Sequence, residues 1–569
     1  MAKVLGLSFG HDAAAALVVD GKIVAAAEEE RFIGVKHSVG HPFPSKAVAY
    51  CLSAGDLDPG GIDHVAIFKP IRIGWWRELL RPLLARGIPF LKPRLGRDLI
   101  RDALTFFAQA QIRGNPWGTR RFGFDPERVR GVSHHIAHAA SAYYCSGFSR
   151  ADVLVADAAG SHEATSLYDG NGSSLRLRRQ VDWPDSLGYF YSAVTEYLGY
   201  ETREGEGRIM GLAPYGRADP RASAVMERAC RLKAGGYRVD DNLVGFAPPY
   251  AIKALEQELG PRARGIEDLE GERLRNVAYA VQKRLEDVMV DLVKRWGVSE
   301  NLCLAGGVAL NCKMNGVLIE ARSFDGVFVQ PAANDPGSAL GAALAVARDL
   351  GDPVREVMRH PYLGPEFSED EVARELDARK IPYDEVDDIE DAVAESLASD
   401  EIVGWFQGRM EFGPRALGDR SILMSPTKPE NKEILNARVK FREAYRPYCP
   451  SMLAEAADEY LVNGRPSPFM ILSFQVRPEK RREIPAVTHV DGSCRPQTVE
   501  RDVHPRYWRL IKRFEERSSV PVVLNTSLNV RGKPMACSPA DALAAFYSGG
   551  MDRIAFGRLL VSKARRSGS

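Results

Sequence analysis

Short apolar runs separated by turns open the chain and predict a β-hairpin unit. Residues 3–8, 14–18 and 22–27 have strand-like patterns, and Asp20-Gly21 lies between the last two. Asp-Gly between two apolar runs is typical of a tight hairpin turn. The same succession returns at 151–156, 163–168 and 174–178, with a turn predicted at Asp169-Gly170. This weak internal duplication predicts an α/β chain with two related lobes.

Helical and buried-strand patterns follow these units. We predict helices over 44–54, 137–145 and 272–296, and buried strands over 302–307 and 326–330. Ligands of open α/β sheets bind beyond the carboxyl ends of the strands, and paired lobes bind nucleotides in the cleft between them. The loops after the two buried strands are therefore candidate sites.

The pattern changes after residue 347. Helix breakers occupy 349–353, and residues 359–365 have the composition of an extended link. We predict a domain boundary near residue 360, which gives domains 1–360 and 361–569. In the second domain, strands are predicted over 401–406, 469–476 and 521–525.

Length, composition and net charge restrict the number of domains and the kinds of partner. The chain has 569 residues, of which 45% are hydrophobic and 27% charged, as expected for folded domains and too long for one core. A net charge of +1 argues against a surface made for nucleic acid. Residues 69–121 nevertheless carry 12 Lys and Arg against three acids. This basic insertion is either a solvated face or a site for an anionic, polyanionic or membrane-associated acceptor.

The lack of a long apolar run and the pattern of cysteines favour a cytoplasmic protein. No apolar run approaches the ~18 residues of a spanning helix, and the first residues already form a strand pattern. The eight cysteines include no Cys-x-x-Cys pair. We therefore expect buried reduced thiols, and neither disulfides nor a thiolate zinc site.

Two histidines and two aspartates form a candidate metal site. His134 and His138 lie four residues apart, which places both imidazoles on one helical face. Asp157 and Asp335 each follow a predicted strand. Two imidazoles with two carboxylates suit Fe(II), with Mn(II) or Zn(II) as alternatives. The competing interpretation is an incidental histidine pair with two turn or helix-cap aspartates.

Two further groups of residues fit phosphate chemistry. Gly306-Gly307 follows a strand and leads into a helix, so it serves either close packing or a nucleotide. No Walker loop is present. Several cationic residues of the second domain lie beside helix breakers, where they form either a phosphate pocket or a solvated face. Among them are Arg415, Lys440, Arg442, Arg446 and Arg495.

With these residues in view, the chain resembles the antibiotic and nodulation-factor O-carbamoyltransferase family. The resemblance runs nearly end to end, and it is the order of the fragments together that is specific. The fragments are Gly10-His-Asp-Ala13, Glu29-Glu-Arg-Phe32, Lys36-His37, His134 to His138, Gly211-Leu-Ala-Pro-Tyr-Gly216, Gly306-Gly-Val-Ala-Leu-Asn311, Phe412-Gly-Pro-Arg-Ala-Leu-Gly418 and Asn525-Thr-Ser-Leu-Asn529.

The resemblance implies a fold for each domain. The N-terminal domain would belong to the α/β actin-like, sugar-kinase and Hsp70 superfold, similar to the transferase that puts threonylcarbamoyl on tRNA. The C-terminal domain would be a YrdC-like α/β domain, similar to the enzyme that makes threonylcarbamoyl adenylate. Its Lys-x-Arg and Ser-x-Asn signatures match Lys440-Phe-Arg442 and Ser527-Leu-Asn529.

The resemblance also implies a two-stage reaction. Carbamoyl phosphate and ATP, with Mg²⁺, would form carbamoyl adenylate in the C-terminal pocket, and the carbamoyl group would then pass to a hydroxyl of a small-molecule acceptor in the N-terminal cleft. His11 is the candidate general base; otherwise it is a turn residue paired with Asp12. The implied nucleotide ligands are Gly306, Gly307, Asn311 and Gly337, and the implied phosphate ligands are Arg415, Arg446, Arg495, Ser527 and Asn529, beside the catalytic Lys440 and Arg442.

Two other functions compete with this one. A tRNA-modifying enzyme that installs threonylcarbamoyl would give the basic insertion a nucleic-acid partner, although the near-neutral charge favours a small acceptor without nucleic acid. An Hsp70-like nucleotide-driven binding module would not need the second cationic domain. The acceptor itself is left open by the sequence.

Overall fold

A computed structural model of the chain describes residues 2–68, 122–245, 248 and 250–563. The basic insertion 69–121, with its two interpretations, lies outside the described residues. Two five-stranded sheets occupy the N-terminal half of the described chain, and an eight-stranded sheet occupies the C-terminal part.

The first sheet joins a hairpin unit to two parallel strands. Its members are β1 (Lys3–Ser8), β2 (Ala14–Val19), β3 (Lys22–Glu28), β4 (His64–Ile67) and β5 (Val129–Gly131). Their order is β3-β2-β1-β4-β5; the β1–β2 and β2–β3 pairs are antiparallel, and the other two pairs are parallel. Asp20 and Gly21 form the predicted β2–β3 turn, with φ values of 53° and 77°.

The second sheet repeats this topology. Its members are β6 (Arg150–Ala156), β7 (Glu163–Asn171), β8 (Ser174–Asp182), β11 (Asn301–Ala305) and β12 (Gly326–Val329), and a separate ribbon is formed by β9 (Cys230–Lys233) and β10 (Gly236–Val239). The order β8-β7-β6-β11-β12 again places an antiparallel hairpin unit beside two parallel strands. The predicted duplication is therefore confirmed, as the actin-like resemblance implied.

The turn predicted in the second unit is wrong by about three residues. Asp169 and Gly170 lie within β7, paired with Arg176 and Leu175, and the chain reverses at Gly172-Ser173. Gly170 has a packing reason instead, because a Cβ there would lie 2.5 Å from the Tyr143 ring.

Helices of the N-terminal half pack on and between the two sheets. They are α1 (Glu29–Ile33), α2 (Ser45–Ala54), α3 (His134–Ser146), α4 (Leu187–Tyr197), α5 (Glu206–Leu212), α6 (Pro220–Ala229), α7 (Ile252–Leu259), α8 (Glu272–Trp296), α9 (Cys312–Ala321) and α10 (Asp335–Asp349). The three predicted helices are confirmed as α2, α3 and α8, although α3 begins three residues before the predicted start. Helix α10 packs against both α3 and β1, so it joins the two lobes.

The C-terminal part is built on one mixed sheet. Its order is β13-β22-β21-β14-β15-β20-β16-β19, where β13 is Asp384–Glu385, β14 Val403–Phe406, β15 Arg420–Met424, β16 Cys449–Leu453, β19 Gln497–Val499, β20 Val522–Ser527, β21 Arg553–Phe556 and β22 Leu559–Ser562. A short pair is formed by β17 (Phe474–Gln475) and β18 (Ser493–Cys494). The helices are α11 (Glu369–Ala378), α12 (Ile389–Ala398), α13 (Glu430–Leu435), α14 (Ala457–Tyr460), α15 (Pro505–Ser518) and α16 (Pro539–Ser548).

Two of the three strands predicted here are confirmed as β14 and β20. The prediction over 469–476 is wrong except at β17, because the rest of this buried segment is irregular. Its backbone packs on α9 instead of forming a ladder: Asn315 Nδ2 donates to the Ile471 carbonyl at 2.9 Å, and a Cβ on Gly316 would lie 2.4 Å from the Ser473 carbonyl oxygen. The buried apolar residues thus have the pattern of a strand, although a side-chain amide of α9 pairs with the carbonyl of Ile471.

The segment between α10 and α11 forms neither helix nor strand across residues 350–368, all of which are described. The domain boundary proposed near residue 360 falls within this segment and stays a prediction.

We expect Gly341→Ala to destabilise the protein. A Cβ at Gly341 on α10 would lie 1.7 Å from the Ala137 carbonyl oxygen of α3, so the two helices would have to separate. Overpacking of this kind costs about 1–3 kcal/mol. Thermal denaturation should show a midpoint several degrees lower.

Gly207→Ala is the matched control, because a Cβ at Gly207 on α5 would meet nothing within 4 Å. Its midpoint should be unchanged or higher. Equal midpoints for the two variants would contradict the close α3–α10 contact.

Candidate functional site

The second sheet and α10 bring two aspartates together. Asp157 directly follows β6, and Asp335 is the first residue of α10, after β12. The strands β6, β11 and β12 are parallel neighbours, so the segments that follow them meet at one edge of the sheet. The predicted position of both acids at strand ends is confirmed.

Helix α3 adds two imidazoles to this edge. The Nε2 atoms of His134 and His138 are 2.9 Å apart. His134 Nε2 lies 3.2 Å from Asp157 Oδ2 and 3.3 Å from Asp335 Oδ1. The corresponding distances from His138 Nε2 are 3.5 and 3.7 Å. His135 faces away from the aspartates, and its Nδ1 lies 2.8 Å from Ser166 Oγ.

This donor set fits a first-row divalent metal ion. Four ligands placed tetrahedrally at about 2.1 Å from a metal would be about 3.4 Å from one another. The four distances between histidine nitrogens and aspartate oxygens, 3.2–3.7 Å, are close to that spacing. A backbone contact fixes one carboxylate, since the Gly307 N–H donates to Asp157 Oδ1 at 3.1 Å. The residues that would hold a metal are those that the sequence nominated, and their role as ligands stays a proposal.

The charges of the cluster are strongly coupled. Burial alone would lower the pKa of His134, but its contacts with Asp157 and Asp335 raise it to about 10. Burial opposes ionisation of Asp335, yet the two imidazoles lower its pKa to about 2. The same balance holds the pKa of Asp157 well below its usual range. Both carboxylates therefore favour a positive charge among the four donor atoms.

A second group, His11, Asp12 and His37, lies beside the metal-site loop. Asp12 Oδ2 is 3.1 Å from His11 Nδ1, and Asp12 Oδ1 is 2.7 Å from His37 Nδ1. The two imidazole rings are stacked with centroids 4.7 Å apart. Asn334, which precedes Asp335, donates through Nδ2 to Asp12 Oδ2 at 3.0 Å. The pairing of His11 with Asp12 leaves its Nε2 buried and without a hydrogen-bond partner.

Sequence reasoning assigned no role to His37 or Asn334. His37 was visible only within the Lys36-His37 fragment of the family resemblance, and Asn334 only as the neighbour of Asp335. Neither has a spacing that would reveal a shared contact with Asp12, because 25 and 322 residues separate the partners along the chain.

The four residues predicted to bind nucleotide have different contacts, some of packing and some of hydrogen bonding. Gly306 has φ 89°, and a Cβ there would lie 2.2 Å from the Ala156 carbonyl oxygen, so β11 can end close to β6. Gly307 contacts Asp157, as described above. Asn311 caps α9 by accepting from Met314 N–H and also pairs with Gln282. A Cβ on Gly337 would lie 2.1 Å from the Ala332 carbonyl oxygen. Packing thus accounts for Gly337, and nucleotide contacts at these four residues stay a prediction.

In the C-terminal part, the Lys-x-Arg and Ser-x-Asn signatures meet. The buried Lys440 Nζ donates to Asn529 Oδ1 at 2.8 Å, to the Asn529 carbonyl at 3.1 Å and to the Ser527 carbonyl. Ser527 Oγ donates to Asn529 Oδ1 at 2.8 Å. Arg442 donates through Nε to Asn436 Oδ1 at 3.1 Å. The two signatures therefore form one polar unit.

The other nominated arginines lie close to this unit and to one another. Burial and the adjacent Arg495 charge lower the pKa of Arg415 to about 9. Burial and Arg442 lower the pKa of Arg446 to about 10. Burial, followed by Arg442 and Arg446, holds the pKa of Lys440 well below its usual range. We call these five residues, Arg415, Lys440, Arg442, Arg446 and Arg495, the cationic pocket.

Among the described residues, few counter-charges lie near the three groups whose pKa is lowered, Arg415, Lys440 and Arg446. Arg446 has Glu443 at 3.6 Å, but that carboxylate is shared with Arg208 at 3.3 Å. Arg495 donates through Nε and Nη2 to Cys449 Sγ at 3.2 and 2.9 Å. A partly buried excess of positive charge favours a polyanionic ligand such as a nucleoside triphosphate.

The N-terminal half reaches this pocket. Lys36, next to His37, is close enough for its charge to contribute to the lowered pKa of Lys440. Lys36 Nζ lies 3.2 Å from Glu204 Oε1, and Glu204 Oε2 lies 3.3 Å from Arg208 Nη2. A chain of ion pairs therefore runs from the His11–His37 group to the cationic pocket.

Comparison with known proteins decides the family. Residues 3–344 match the family model described as carbamoyltransferase N-terminus, and residues 394–563 match carbamoyltransferase C-terminus. The chain belongs to the carbamoyltransferase family. The predicted family and enzyme class are thereby confirmed.

Related proteins extend over nearly the whole chain. An uncharacterized protein of Synechocystis is 35% identical and covers 99% of this chain and 97% of its own length. Nodulation protein NolNO of Sinorhizobium fredii is 37% identical and covers 98% of this chain, which spans 80% of that relative. Among solved structures, HypF of T. kodakarensis aligns with 63% of this chain and 49% of its own at 13% identity and a TM-score of 0.31. That likeness is too distant to bear on the chemistry.

No helix of the described residues is long and apolar enough to cross a membrane.

We expect His138→Ala to abolish metal binding by the four-donor cluster. The variant loses a buried donor, which should weaken affinity by more than the ~10–100-fold that loss of an outer-sphere partner costs. Elemental analysis of the purified protein should fall from about one equivalent of metal per chain to a small fraction.

His135→Asn is the control, because His135 lies on the same helix but contacts Ser166. It should retain the metal of the unaltered protein. Full metal content in His138→Ala would contradict the assignment of the cluster.

Proposed function

We propose that this carbamoyltransferase is an ATP-dependent O-carbamoyltransferase with two sites. The cationic pocket forms carbamoyl adenylate from carbamoyl phosphate and ATP, and the His11 group with the four-donor cluster transfers the carbamoyl group to a hydroxyl of a small molecule. The observation that carries the proposal is the pairing of a partly buried cationic pocket, with few counter-charges among the described residues, and a largely buried four-donor cluster in one chain of this family.

In the first step, the cationic pocket neutralises the phosphates. Carbamoyl adenylate retains one phosphate, the α-phosphate of ATP. One water molecule first cleaves carbamoyl phosphate to carbamate and phosphate; a carbamate oxygen then attacks the α-phosphorus of ATP, and pyrophosphate leaves. Both departures build negative charge on oxygen, which the guanidinium and ammonium groups of the pocket stabilise. Ser527 and Asn529 act through Lys440, because their oxygens orient its ammonium group.

In the second step, His11 accepts the proton of the acceptor hydroxyl. Asp12 accepts a hydrogen bond from His11 Nδ1, which leaves the lone pair of Nε2 for the proton. The hydroxyl oxygen then bonds to the carbamoyl carbon, and the bond from that carbon to the AMP phosphate oxygen breaks. A metal ion held by His134, His138, Asp157 and Asp335 would supply Lewis-acid stabilisation of negative charge.

We propose only the chemical class of the acceptor. Nodulation protein NolNO and the other nodulation-named relatives share the family, and a hydroxyl of a small molecule, such as a sugar or a natural product, fits the carbamoyl chemistry. Product mass spectrometry with candidate alcohols should show the gain of one carbamoyl group.

We expect Lys440→Ala to block the first step. Loss of this buried ammonium removes a charge from the pocket and one of the two donors to Asn529 Oδ1, the other being Ser527 Oγ. Pyrophosphate release that depends on carbamoyl phosphate should fall by about 10²–10³-fold. Lys428→Ala, which alters an exposed lysine paired with Asp400 in the same domain, should behave as the unaltered enzyme. Unchanged release by Lys440→Ala would remove the activation step from this pocket.

We expect His11→Asn to block the second step and to leave the first step intact. The variant should form carbamoyl adenylate at the normal rate, because the cationic pocket is intact. Transfer to the acceptor should fall by about 10²–10⁴-fold, the usual contribution of a general base. Undiminished carbamoylated product, measured by mass spectrometry, would remove His11 from this role.

A further inference from the structure

Phe441, between the two cations of the Lys-x-Arg signature, has a strained backbone. Residues Asn436–Lys440 form one π-helical turn, and Phe441 follows with φ 44° and ψ 52°. A bulky side chain rarely adopts this left-handed conformation, and both π-turns and such outliers concentrate at functional sites. The strained backbone of Phe441 therefore indicates a functional role for this residue.

Contacts on both sides hold this conformation. Phe441 N–H donates to the Asn436 carbonyl at 2.7 Å, and Arg531 Nη1 donates to the Phe441 carbonyl at 3.1 Å. Asn436 also accepts from Arg442 through its side chain. The residues that fix Phe441 thus belong to or adjoin the cationic pocket.

The Phe441 ring lies in an unusual place for an apolar group. It is 51% exposed, whereas its neighbour Lys440 is buried. Arg531, which holds the Phe441 carbonyl, lies two residues after Asn529, the partner of Lys440. Phe441 therefore stands where the Lys-x-Arg and Ser-x-Asn segments meet, at the outer rim of the buried phosphate-binding groups.

We propose that Phe441 stacks on the nucleobase of the nucleoside triphosphate bound in the cationic pocket. This inference rests on the proposed function, in which the pocket binds ATP. With the phosphates among the buried cations, the base extends outward to the rim, where an exposed aromatic ring gains contact area by covering it. Every base has a π-face, so the ring favours a nucleoside triphosphate over bare polyphosphate and does not discriminate strongly between bases.

The test compares Phe441→Gly with Phe441→Trp in carbamoyl-phosphate-dependent pyrophosphate release. Glycine adopts positive φ without strain, so Phe441→Gly should keep or raise the thermal midpoint. Loss of one base–aromatic stack should nevertheless raise the KM for ATP about 10-fold. Phe441→Trp keeps a stacking surface and should keep a KM near that of the unaltered enzyme.

Two controls separate stacking from damage to the pocket. Inorganic tripolyphosphate, a competitor with no base, should inhibit Phe441→Gly and the unaltered enzyme with the same inhibition constant. Tyr547→Ala removes another aromatic ring, 52% exposed, on α16 and should leave the KM for ATP unchanged.

Each result decides the inference. A raised KM for ATP with unchanged tripolyphosphate inhibition supports it. An unchanged KM for ATP in Phe441→Gly, or a parallel weakening of ATP and tripolyphosphate, overturns stacking while the proposed function stands. Absence of pyrophosphate release by the unaltered enzyme overturns the proposed function, and this inference with it.

Discussion

Two imidazole nitrogens and two carboxylate oxygens are held within 4.8 Å of one another in largely buried surroundings. The N-terminal half is organised around this constraint. Parallel strands bring the two acids to one edge of the second sheet, and the close packing of α3 on α10 sets the histidines over them. Coupling between the groups keeps both carboxylates ionised, so the cluster is most stable around a positive charge.

The C-terminal part has an excess of positive charge, whereas the four-donor cluster favours a bound cation. Five cations, of which Lys440 is buried and the four arginines are partly buried, lie near one another with few counter-charges among the described residues. The two halves match the two requirements of the proposed reaction: positive charge for the departing phosphates, and a candidate base beside a candidate metal site for the attacking hydroxyl. The ion pairs through Lys36, Glu204 and Arg208 place the two sites in contact through the protein.

Sequence reasoning succeeded where local pattern and topology determine position. The Asp20-Gly21 turn, helix α8, the duplicated sheets and the strand-end location of Asp157 and Asp335 all follow from residue periodicity and from general rules of α/β sheets. It failed where tertiary contacts override local pattern. Apolar residues 469–476 resemble a strand, but the Ile471 carbonyl among them pairs with the side chain of Asn315 on α9 instead of a neighbouring strand. Likewise, the shared contact of His37 and Asn334 with Asp12 depends on residues far apart in the chain.

Phosphorus-31 NMR of the unaltered enzyme with ATP and carbamoyl phosphate, without acceptor or threonine, tests the central claim most directly. Our account predicts equal amounts of pyrophosphate and phosphate, together with a carbamoyl adenylate resonance. Formation of ADP in place of pyrophosphate would indicate γ-phosphoryl transfer, and a requirement for threonine and bicarbonate would indicate threonylcarbamoyl chemistry. Either result would contradict activation of carbamoyl phosphate by this protein.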